Sequence, residues 1–261
     1  MLNFDHFIIA VRDLDAAMAD YRALGFTVYY GGKHTHKATH NGLIALADGS
    51  YLELLAPQDP SEIDNTIDVL AYGEGFGGYA LLTIDIDGDV ARLRAAGIDC
   101  SDPLPGHRDR YDGVQIQWRS ANVGGTRNPF LITDVTPHIL RVPDDPDKVN
   151  QQNRVTGIAG LTMFVPSMDA ALAKYGVMLD AEPVSSHMRE DVHTARFALG
   201  NCDLMLVQPL TSAAPGAAQV ARLGESIGRL QLHTASKVNT GLLGLTLAHG
   251  APIELIASGE E

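Results

Sequence analysis

Residues 10–21, AVRDLDAAMADY, recur almost in register as residues 164–175, FVPSMDAALAKY. Each copy has a short β-rich run, an aspartate near a helix start, and apolar residues at helical spacing. Further along, ALADGSYLELLAP (45–57) aligns without gaps with FALGNCDLMLVQP (197–209), and both predict a strand, a glycine-containing turn and a second strand. A repeat of this kind sets the architecture before any single motif is weighed.

Two further copies are found, and the last of them is shortened. LRAAGID (93–99) parallels YRALGFT (21–27), and LTLAHGAPIELIA (245–257) aligns with IALADGSYLELLA (44–56). The segment between the strands of the last copy is too short and turn-rich for a helix. The sequence therefore predicts an α+β fold of four repeated βαβββ modules, the last one shortened, at about 1–57, 78–134, 156–209 and 227–257.

These modules group into two predicted domains, 1–140 and 156–261. The stretch between them, 141–155, begins RVPDDPDKVNQQN and is rich in Pro, Asp and amide side chains. Such a composition is typical of a connection between domains, so we expect a linker there.

Composition limits the partners of the chain. It has 261 residues, 45% of them hydrophobic, which is enough to bury a core without disulfide or metal staples. The formal net charge is −13, with 32 acidic against 19 basic side chains. We expect no nucleic acid and no membrane as partners, because phosphate backbones and anionic lipid surfaces both require clustered Lys and Arg.

Cysteine spacing and hydropathy favour a cytoplasmic location. Cys100 and Cys202 show neither zinc-finger nor disulfide-framework spacing, which fits a reducing compartment. The first residues, MLNFDHFIIAVRDLD (1–15), lack the basic region and continuous apolar run of a signal peptide. No stretch approaches the roughly 20 apolar residues of a membrane span.

Two polar residues stand in predicted strands of the first module. His6 lies in FDHFIIAV, and Glu53 is flanked by leucines in YLELLAP. Taken singly, His6 is explained as a hydrogen-bonded core histidine and Glu53 as a solvated residue of an edge strand. Together, at equivalent ends of one repeat, they favour a site, since a carboxylate among leucines needs a partner and both residues are ordinary ligands for divalent metals.

The run DHFIIAVRDLDAAMADYRALGF, followed by THNGLIALADGSYLELLAP and a second copy containing WR and PFLITDVTP, resembles the glyoxalase-like domain family of the vicinal oxygen chelate superfamily. The resemblance covers about residues 3–142. It implies paired βαβββ modules that close around a concave sheet and bind a small molecule. It also implies a divalent metal held by His6 on the first strand and Glu53 on the last strand of module one.

The resemblance implies further ligands from a partner module. Module three carries Gly160 and Met205 at the two ligand positions and can supply none. Module four keeps a carboxylate, Glu254, at the position of Glu53, and its strand GRLQLHT (228–234) presents Gln231 and His233. We therefore expect a site shared by modules one and four, with His6, Glu53, Glu254 and His233 or Gln231; the alternative is that Glu254 is exposed at an edge.

The segment GGKHTHKATHNG (31–42) contains three histidines. His40 lies in a predicted strand beside Asn41, so we expect His40 to reach the cavity as a general base or ligand and Asn41 to bind substrate. His34 and His36 precede the strand in a predicted loop, where solvated histidines are usual, and we assign them no role.

In VQIQWR (114–119), Ile116 and Trp118 share one strand face, and Gln117 and Arg119 share the other. If the polar face lines the cavity, Arg119 becomes a clamp for a carboxylate or carbonyl oxygen, with Gln117 beside it.

These features favour a metal-dependent enzyme acting on a small oxygenated substrate. A bound Zn, Fe, Mn or Ni ion would polarise an oxygen, and Glu53, Glu254 or His40 would move a proton in an isomerase, lyase or hydrolase reaction. The alternative is a metal-free binding protein like the bleomycin-resistance members of the superfamily. Ring-cleaving dioxygenase chemistry is disfavoured because Gly160 stands where that resemblance implies a histidine. A homodimer is a further expectation, because paired modules often meet across subunits.

Overall fold

The structure of the chain is a computed structural model that describes residues 2–34, 38–59, 61, 68–110, 112–124, 129–200 and 202–258. The first half contains the elements β1 (Asn3–Ala10), α1 (Leu14–Ala23), β2 (Tyr29–Lys33), β3 (Thr39–Ala45), β4 (Tyr51–Pro57), a 3-10 turn (Asp68–Tyr72), β5 (Gly75–Leu82), α2 (Ile86–Ala95), β6 (Leu104–Asp109), β7 (Gln115–Asn122) and β8 (Phe130–Asp134).

Two short helices, α3 (His138–Arg141) and α4 (Pro146–Val149), lead into the second half. Its elements are β9 (Val155–Phe164), α5 (Met168–Leu179), β10 (Ser185–Met188), β11 (Val192–Leu199), β12 (Cys202–Pro209), α6 (Ala217–Leu223), β13 (Ser226–Thr234), β14 (Gly241–Leu242) and β15 (Ile253–Ala257).

The strands form two sheets of the same design. The order in the first sheet is β2-β3-β4-β1-β5-β8-β7-β6, and in the second it is β10-β11-β12-β9-β13-β15-β14. In each sheet the first strands of two sequential modules lie antiparallel at the centre. The predicted fold of four βαβββ modules is confirmed, and the pairing joins module one to two and three to four.

Three modules begin their long helix in the same way. A side-chain oxygen caps the first turn: Asp13 accepts from Ala16 N at 3.0 Å, Asp85 from Gly88 N at 3.0 Å, and Ser167 from Ala170 N at 3.4 Å. The buried faces of these helices pack on the sheets. Module four has no helix between β13 and β15 within the described residues 202–258, as predicted.

A single hydrophobic cluster contains buried residues of both sheets, among them Phe7, Leu54, Leu161 and Leu232. The two halves therefore share one continuous interior, and their division into two domains stays a prediction. No described helix has the length and hydropathy that crossing a bilayer requires.

The predicted linker is tied to the first sheet. The Gln151 side chain donates to Ala45 O at 2.8 Å and accepts from Thr27 N at 2.7 Å. Asn153 Nδ2 donates to Leu24 O at 3.1 Å. These bonds satisfy main-chain groups of the first half, and Thr234 Oγ1 of the second half donates to Asn153 O at 3.0 Å, so the segment is bonded to both halves.

Two β-bulges shape the centre of the first sheet. Opposite β5, Phe4 pairs with Leu81 and His6 with Ala80, so Asp5 is an extra residue on β1. Ile8 pairs with Gly78 and Ile9 with Phe76, so Gly77 is an extra residue on β5. A bulge bends a strand and redirects the side chains beside it, which explains why Asp5 and His6 both serve the same site.

Candidate functional site

A cleft of about 120 Å³ lies against the first sheet. One wall comes from module one and carries His6, Thr39, Asn41 and Glu53. The facing wall comes from module two and carries Trp118, Ser120, Asn122, Phe130 and Ile132. Both walls thus come from two sequential modules of one chain.

His6 and Glu53 converge in this cleft. His6 Nε2 lies 3.5 Å from Glu53 Oε2, and both side chains are almost fully buried. The imidazole stacks on Tyr51, with ring centroids 4.4 Å apart and planes at 19°. Because the ring is held on one face, its Nε2 edge has a fixed direction towards the carboxylate.

Asp5 fixes the other edge of the imidazole. Its Oδ1 lies 2.5 Å from His6 Nδ1. A carboxylate on one ring nitrogen sets the tautomer and orients the other nitrogen, an arrangement found behind metal-binding and catalytic histidines. His6 Nε2 is therefore presented to the cleft as a ligand or acceptor.

Arg141 anchors Asp5 from the other side. Its guanidinium donates to both Asp5 oxygens, at 2.7 and 2.8 Å, and to both Asp134 oxygens, at 2.6 and 3.1 Å. Burial would raise the pKa of Asp5, but the Arg141 charge and the hydrogen bonds from Arg141 and His6 hold that pKa well below its usual range. Arg141 and His6 thus favour the ionised form of Asp5.

The surroundings of Glu53 favour its ionised form as well. Asn41 Nδ2 donates to Glu53 Oε1 at 2.6 Å, and His34 Nε2 lies 3.8 Å from the same oxygen. Burial opposes the charge, but His6, His34 and the Asn41 hydrogen bond together lower the pKa of Glu53 below its ordinary value. The two carboxylate oxygens face different partners, Oε1 towards Asn41 and His34 and Oε2 towards His6.

His34 belongs to the cleft, contrary to the expectation of a solvated loop residue. Its Nδ1 lies 2.8 Å from Thr39 Oγ1, and its ring meets Trp118 edge to face at 6.2 Å. The signal in the sequence was the pair Gly31-Gly32: Tyr30 pairs with Gly42 and Gly32 with Asn41, so Gly31 is a bulge that changes the strand's alternation. His36 lies outside the described residues.

The prediction for His40 is corrected, whereas Asn41 lies in the cleft as expected. Successive strand residues point to opposite faces, so once Asn41 turns inward His40 turns outward, where it meets the Tyr30 ring at 6.2 Å. Burial and Lys33 lower the pKa of His40 there. His40 does not reach His6.

The condition for a clamp on β7 is not met, because its apolar face and not its polar face lines the cleft. Ile116 and Trp118 point inward, and Ser120 and Asn122 continue that face along the cleft. Arg119 lies on the outer face in a bidentate pair with Asp87, at 2.7 and 2.8 Å. Gln117 is exposed beside it and donates to Gln115 Oε1 at 2.7 Å. Neither residue clamps a ligand in this cleft.

The expectation of a site shared by modules one and four is also corrected. Glu254 lies on β15 of the second sheet, where Arg229 and Gln231 donate to its Oε2 at 3.0 and 2.8 Å. His233 lies on β13 of that sheet, with Nδ1 buried and without a hydrogen-bond partner among the described residues. Because sequential modules pair, these side chains are held in a different sheet from His6 and Glu53.

Asp5 and Arg141 were not predicted. An acidic residue beside His6 was a visible signal, but strict alternation placed it on the opposite face. Arg141 lay in the predicted linker, 136 residues from Asp5, and nothing in its local sequence marks its partner.

A family model for the glyoxalase-like domain matches residues 4–179, which include the whole cleft. The chain belongs to the glyoxalase-like domain family. A search of curated proteins finds no significant match.

Solved structures show the same fold as this glyoxalase-like chain. A hypothetical protein from Staphylococcus aureus superposes with a TM-score of 0.76 at 16% identity, covering 99% of this chain and 100% of that one. A triple mutant of 4-hydroxymandelate synthase from Streptomyces coelicolor gives 0.64 at 16% identity, covering 93% and 77%. Methylmalonyl-CoA epimerase from Mycobacterium tuberculosis aligns over 41% of this chain and 91% of its own, at 18% identity and a TM-score of 0.36, and carries no argument about the fold of the whole chain.

Membership of the glyoxalase-like family implies a divalent metal. The side chains of His6 and Glu53 fit such an ion. The 3.5 Å between His6 Nε2 and Glu53 Oε2 is close to the separation of two ligands that each bond one ion at about 2.1 Å. Asp5 supplies the supporting carboxylate. Among the described residues no group of three His, Cys, Asp or Glu side chains forms a complete site, so the chain offers a two-residue set with His34 nearest to it.

Proposed function

We propose that this cleft is the active site of an enzyme that transfers a proton on a small carbonyl-bearing substrate, with a divalent cation held by His6 and Glu53. The observation that carries the proposal is the convergence of His6 Nε2 and Glu53 Oε2 in a buried cleft, with Asp5 and Asn41 orienting them. Such preorganisation is the main source of catalytic power in sites of this kind.

The cation, Zn, Fe, Mn or Ni, supplies polarisation of a substrate oxygen when bound. The residues of the chain divide the remaining work. Glu53 has a lowered pKa, which suits a ligand that must stay ionised and makes it a weak base. His34 is the better proton carrier, because its Nε2 faces the cleft while Nδ1 is held by Thr39.

Isomerase and lyase reactions that begin with proton removal beside a carbonyl fit this division of roles. Trp118, Phe130 and Ile132 form an apolar wall opposite the polar residues, so water is partly excluded around a bound substrate. The cleft is complete within one chain, and the proposal does not require a homodimer.

Metal content and proton exchange test the proposal together. Protein without a tag is equilibrated with each of the four metals, and metal is measured by mass spectrometry. We expect about one ion per chain, lost in His6→Gln and Glu53→Gln because each removes one of two ligands. In D₂O, small 2-oxo acids and hydroxyketones should exchange their α-hydrogens with wild type, and His34→Gln should keep the metal but lose the exchange.

Glu254→Gln is the matched control, because Glu254 is the carboxylate aligned with Glu53 but lies in the second sheet. It should leave the metal content unchanged. Wild type that takes up no metal, or Glu53→Gln that retains it, overturns the metal-dependent proposal.

A metal-free binding protein is the second candidate. The observation that favours it is the incomplete ligand set among the described residues, two donors where catalytic zinc sites use about three. This candidate predicts ligands that bind in the cleft without any α-hydrogen exchange, in protein that takes up no metal.

A further inference from the structure

The cleft contains two buried arginines with different partners. Arg141, 3% exposed, is saturated by the carboxylates of Asp5 and Asp134. Arg108, 4% exposed, lies on β6, and its described hydrogen bonds go to the main-chain carbonyls of Gly31 and, at 3.3 Å, Arg141. Within the described part of the chain no carboxylate lies at ion-pair distance from Arg108.

Glu53 is not an ion-pair partner of Arg108. Its Oε1 accepts from Asn41, and its Oε2 faces His6. The negative charge of Glu53 acts on Arg108 only from a distance: burial lowers the pKa of Arg108, and Glu53 opposes that effect in part. The contrast is Arg141, where burial is outweighed by Asp5 and the pKa is raised well above its ordinary value.

A buried guanidinium without a carboxylate is a costly feature of a fold. Arg108 has five N–H donors in a planar fork, of which two are accounted for by the carbonyls of Gly31 and Arg141. It also lines the cleft beside Glu53. An anion with two oxygens in one plane would satisfy the remaining donors and the charge together.

We propose that Arg108 docks the carboxylate of the substrate, and that the cleft takes a small monocarboxylic acid whose apolar part packs against Trp118, Phe130 and Ile132. The inference rests on the proposed function in that it names the substrate class for the same cleft. A carboxylate fits better than a phosphate dianion, because Glu53 and Asp5 already place negative charge nearby.

The single tryptophan of the chain is Trp118, so its fluorescence reports occupancy of the cleft directly. The probes are matched pairs that differ only in charge: acetate and acetamide, isobutyrate and isobutyramide, cyclohexanecarboxylate and its carboxamide. We expect at least one carboxylate to bind wild type about tenfold more tightly than its amide. A pair of charge-assisted hydrogen bonds from one guanidinium changes a dissociation constant by a factor on the order of ten.

Two variants of Arg108 and one control locate the effect. Arg108→Gln should abolish the preference for the carboxylate. Arg108→Lys keeps the charge but not the fork, so it should retain part of the preference, which guards against a fold defect in the Gln variant. Arg119→Gln is the matched control, since Arg119 lies on the outer face of the neighbouring strand paired with Asp87, and it should leave the preference unchanged.

Equal binding of every carboxylate and its amide by wild type overturns the inference, and so does a preference that survives in folded Arg108→Gln. The measurement requires no turnover and is repeated after chelation of metal. If metal content contradicts the proposed function while the carboxylate preference holds, the inference stands and the cleft is a carboxylate-binding site. If metal binds but no preference exists, only the inference falls.

Discussion

The two sheets of this protein have the same backbone design and different chemistry. In the first sheet His6 pairs with Tyr51 and Ile8 with Glu53, and in the second Gly160 pairs with Asp203 and Thr162 with Met205. These are the residues that the sequence repeat aligns. The repeat therefore preserves strand register while the side chains at the site positions change completely.

The bulges are preserved as well. Asp5 is the extra residue on β1, and its counterpart Ala159 is the extra residue on β9, between Ile158 and Gly160. Gly77 on β5 corresponds to Gly228 on β13. Because the bulges are present in both sheets, including the one without a His-Glu pair, they serve to bend the sheet. In module one the same bend positions Asp5 and His6 at the cleft.

The charges differ in their burial. In the first sheet the Asp5–Arg141 pair is nearly inaccessible to solvent. In the second sheet the Arg196–Asp203 pair, in which Asp203 aligns with Tyr51, has side chains that are 39% and 44% exposed. The first sheet holds a buried network that must stay complete, whereas the second has pairs that water can replace.

Removing one arginine from each sheet gives the largest expected difference. Arg141→Met leaves Asp5 buried without its cation and should lower the free energy of unfolding by about 3–5 kcal/mol. Arg196→Met removes an exposed pair and should cost less than about 1 kcal/mol. Urea denaturation of both variants at neutral pH measures the two values.

Comparable losses in the two variants would contradict this account of the network. The double variant Asp5→Asn with Arg141→Met separates burial of a lone charge from loss of packing. It should recover part of the stability lost in Arg141→Met, since no unpaired carboxylate is then left in the interior.

Much of the fold was predictable because it depends on periodicity. The repeat fixed four modules and aligned Glu53 with Met205 and Glu254, and the sheet registers agree with those alignments. His6, Glu53 and Asn41 were placed in one site because each lies in a clear strand. These assignments needed only local patterns and the strand period of two.

The remaining site residues are placed by bulges and long-range contacts, which the period of a strand does not show. A one-residue bulge exchanges the faces of a strand, which brings Asp5 beside His6 and His34 into the cleft. His40 faces outward by simple alternation with Asn41. Arg141 and Arg108 reach the site through long-range pairing of elements. The partner module was mispredicted because Glu254 matches Glu53 in sequence, whereas pairing follows chain order.

Alanine substitutions at the bulge glycines Gly77 and Gly228 test whether the packing around the two bulges differs. A Cβ at Gly228 would lie 2.5 Å from the Phe164 ring, and that ring is also pressed against Gly216, so it cannot retreat. A Cβ at Gly77 would lie 2.9 Å from the Cγ2 methyl group of Ile8 and 3.4 Å from Ala10 Cβ, with no aromatic ring against it. We expect Gly228→Ala to cost about 1–3 kcal/mol and Gly77→Ala about 1 kcal/mol or less.

Thermal unfolding of the two alanine variants measures this difference. A larger loss in Gly77→Ala than in Gly228→Ala would contradict the packing around Phe164. Gly244→Ala is a suitable control for loss of the glycine itself, since Gly244, like Gly77 and Gly228, has no positive φ and a Cβ there meets nothing within 4 Å.

The smallest expected effect is a pH dependence confined to the first sheet's network. His138 Nδ1 lies 2.7 Å from Asp134 Oδ2, and this hydrogen bond raises the pKa of His138 although burial opposes it. A raised pKa contributes stability that is fully present below the unfolded value of about 6.5 and is lost as the pH rises through the folded value. His138→Gln should therefore cost something below about 1 kcal/mol at about pH 5.5, because its side chain is 37% exposed and solvent screens the pair. At about pH 9 the cost should be smaller.

His187→Gln is the control, because His187 is exposed on β10 of the second sheet. It should have no effect at either pH. An equal loss in His138→Gln at both pH values would show that the imidazole of His138 acts through packing and not through its charge.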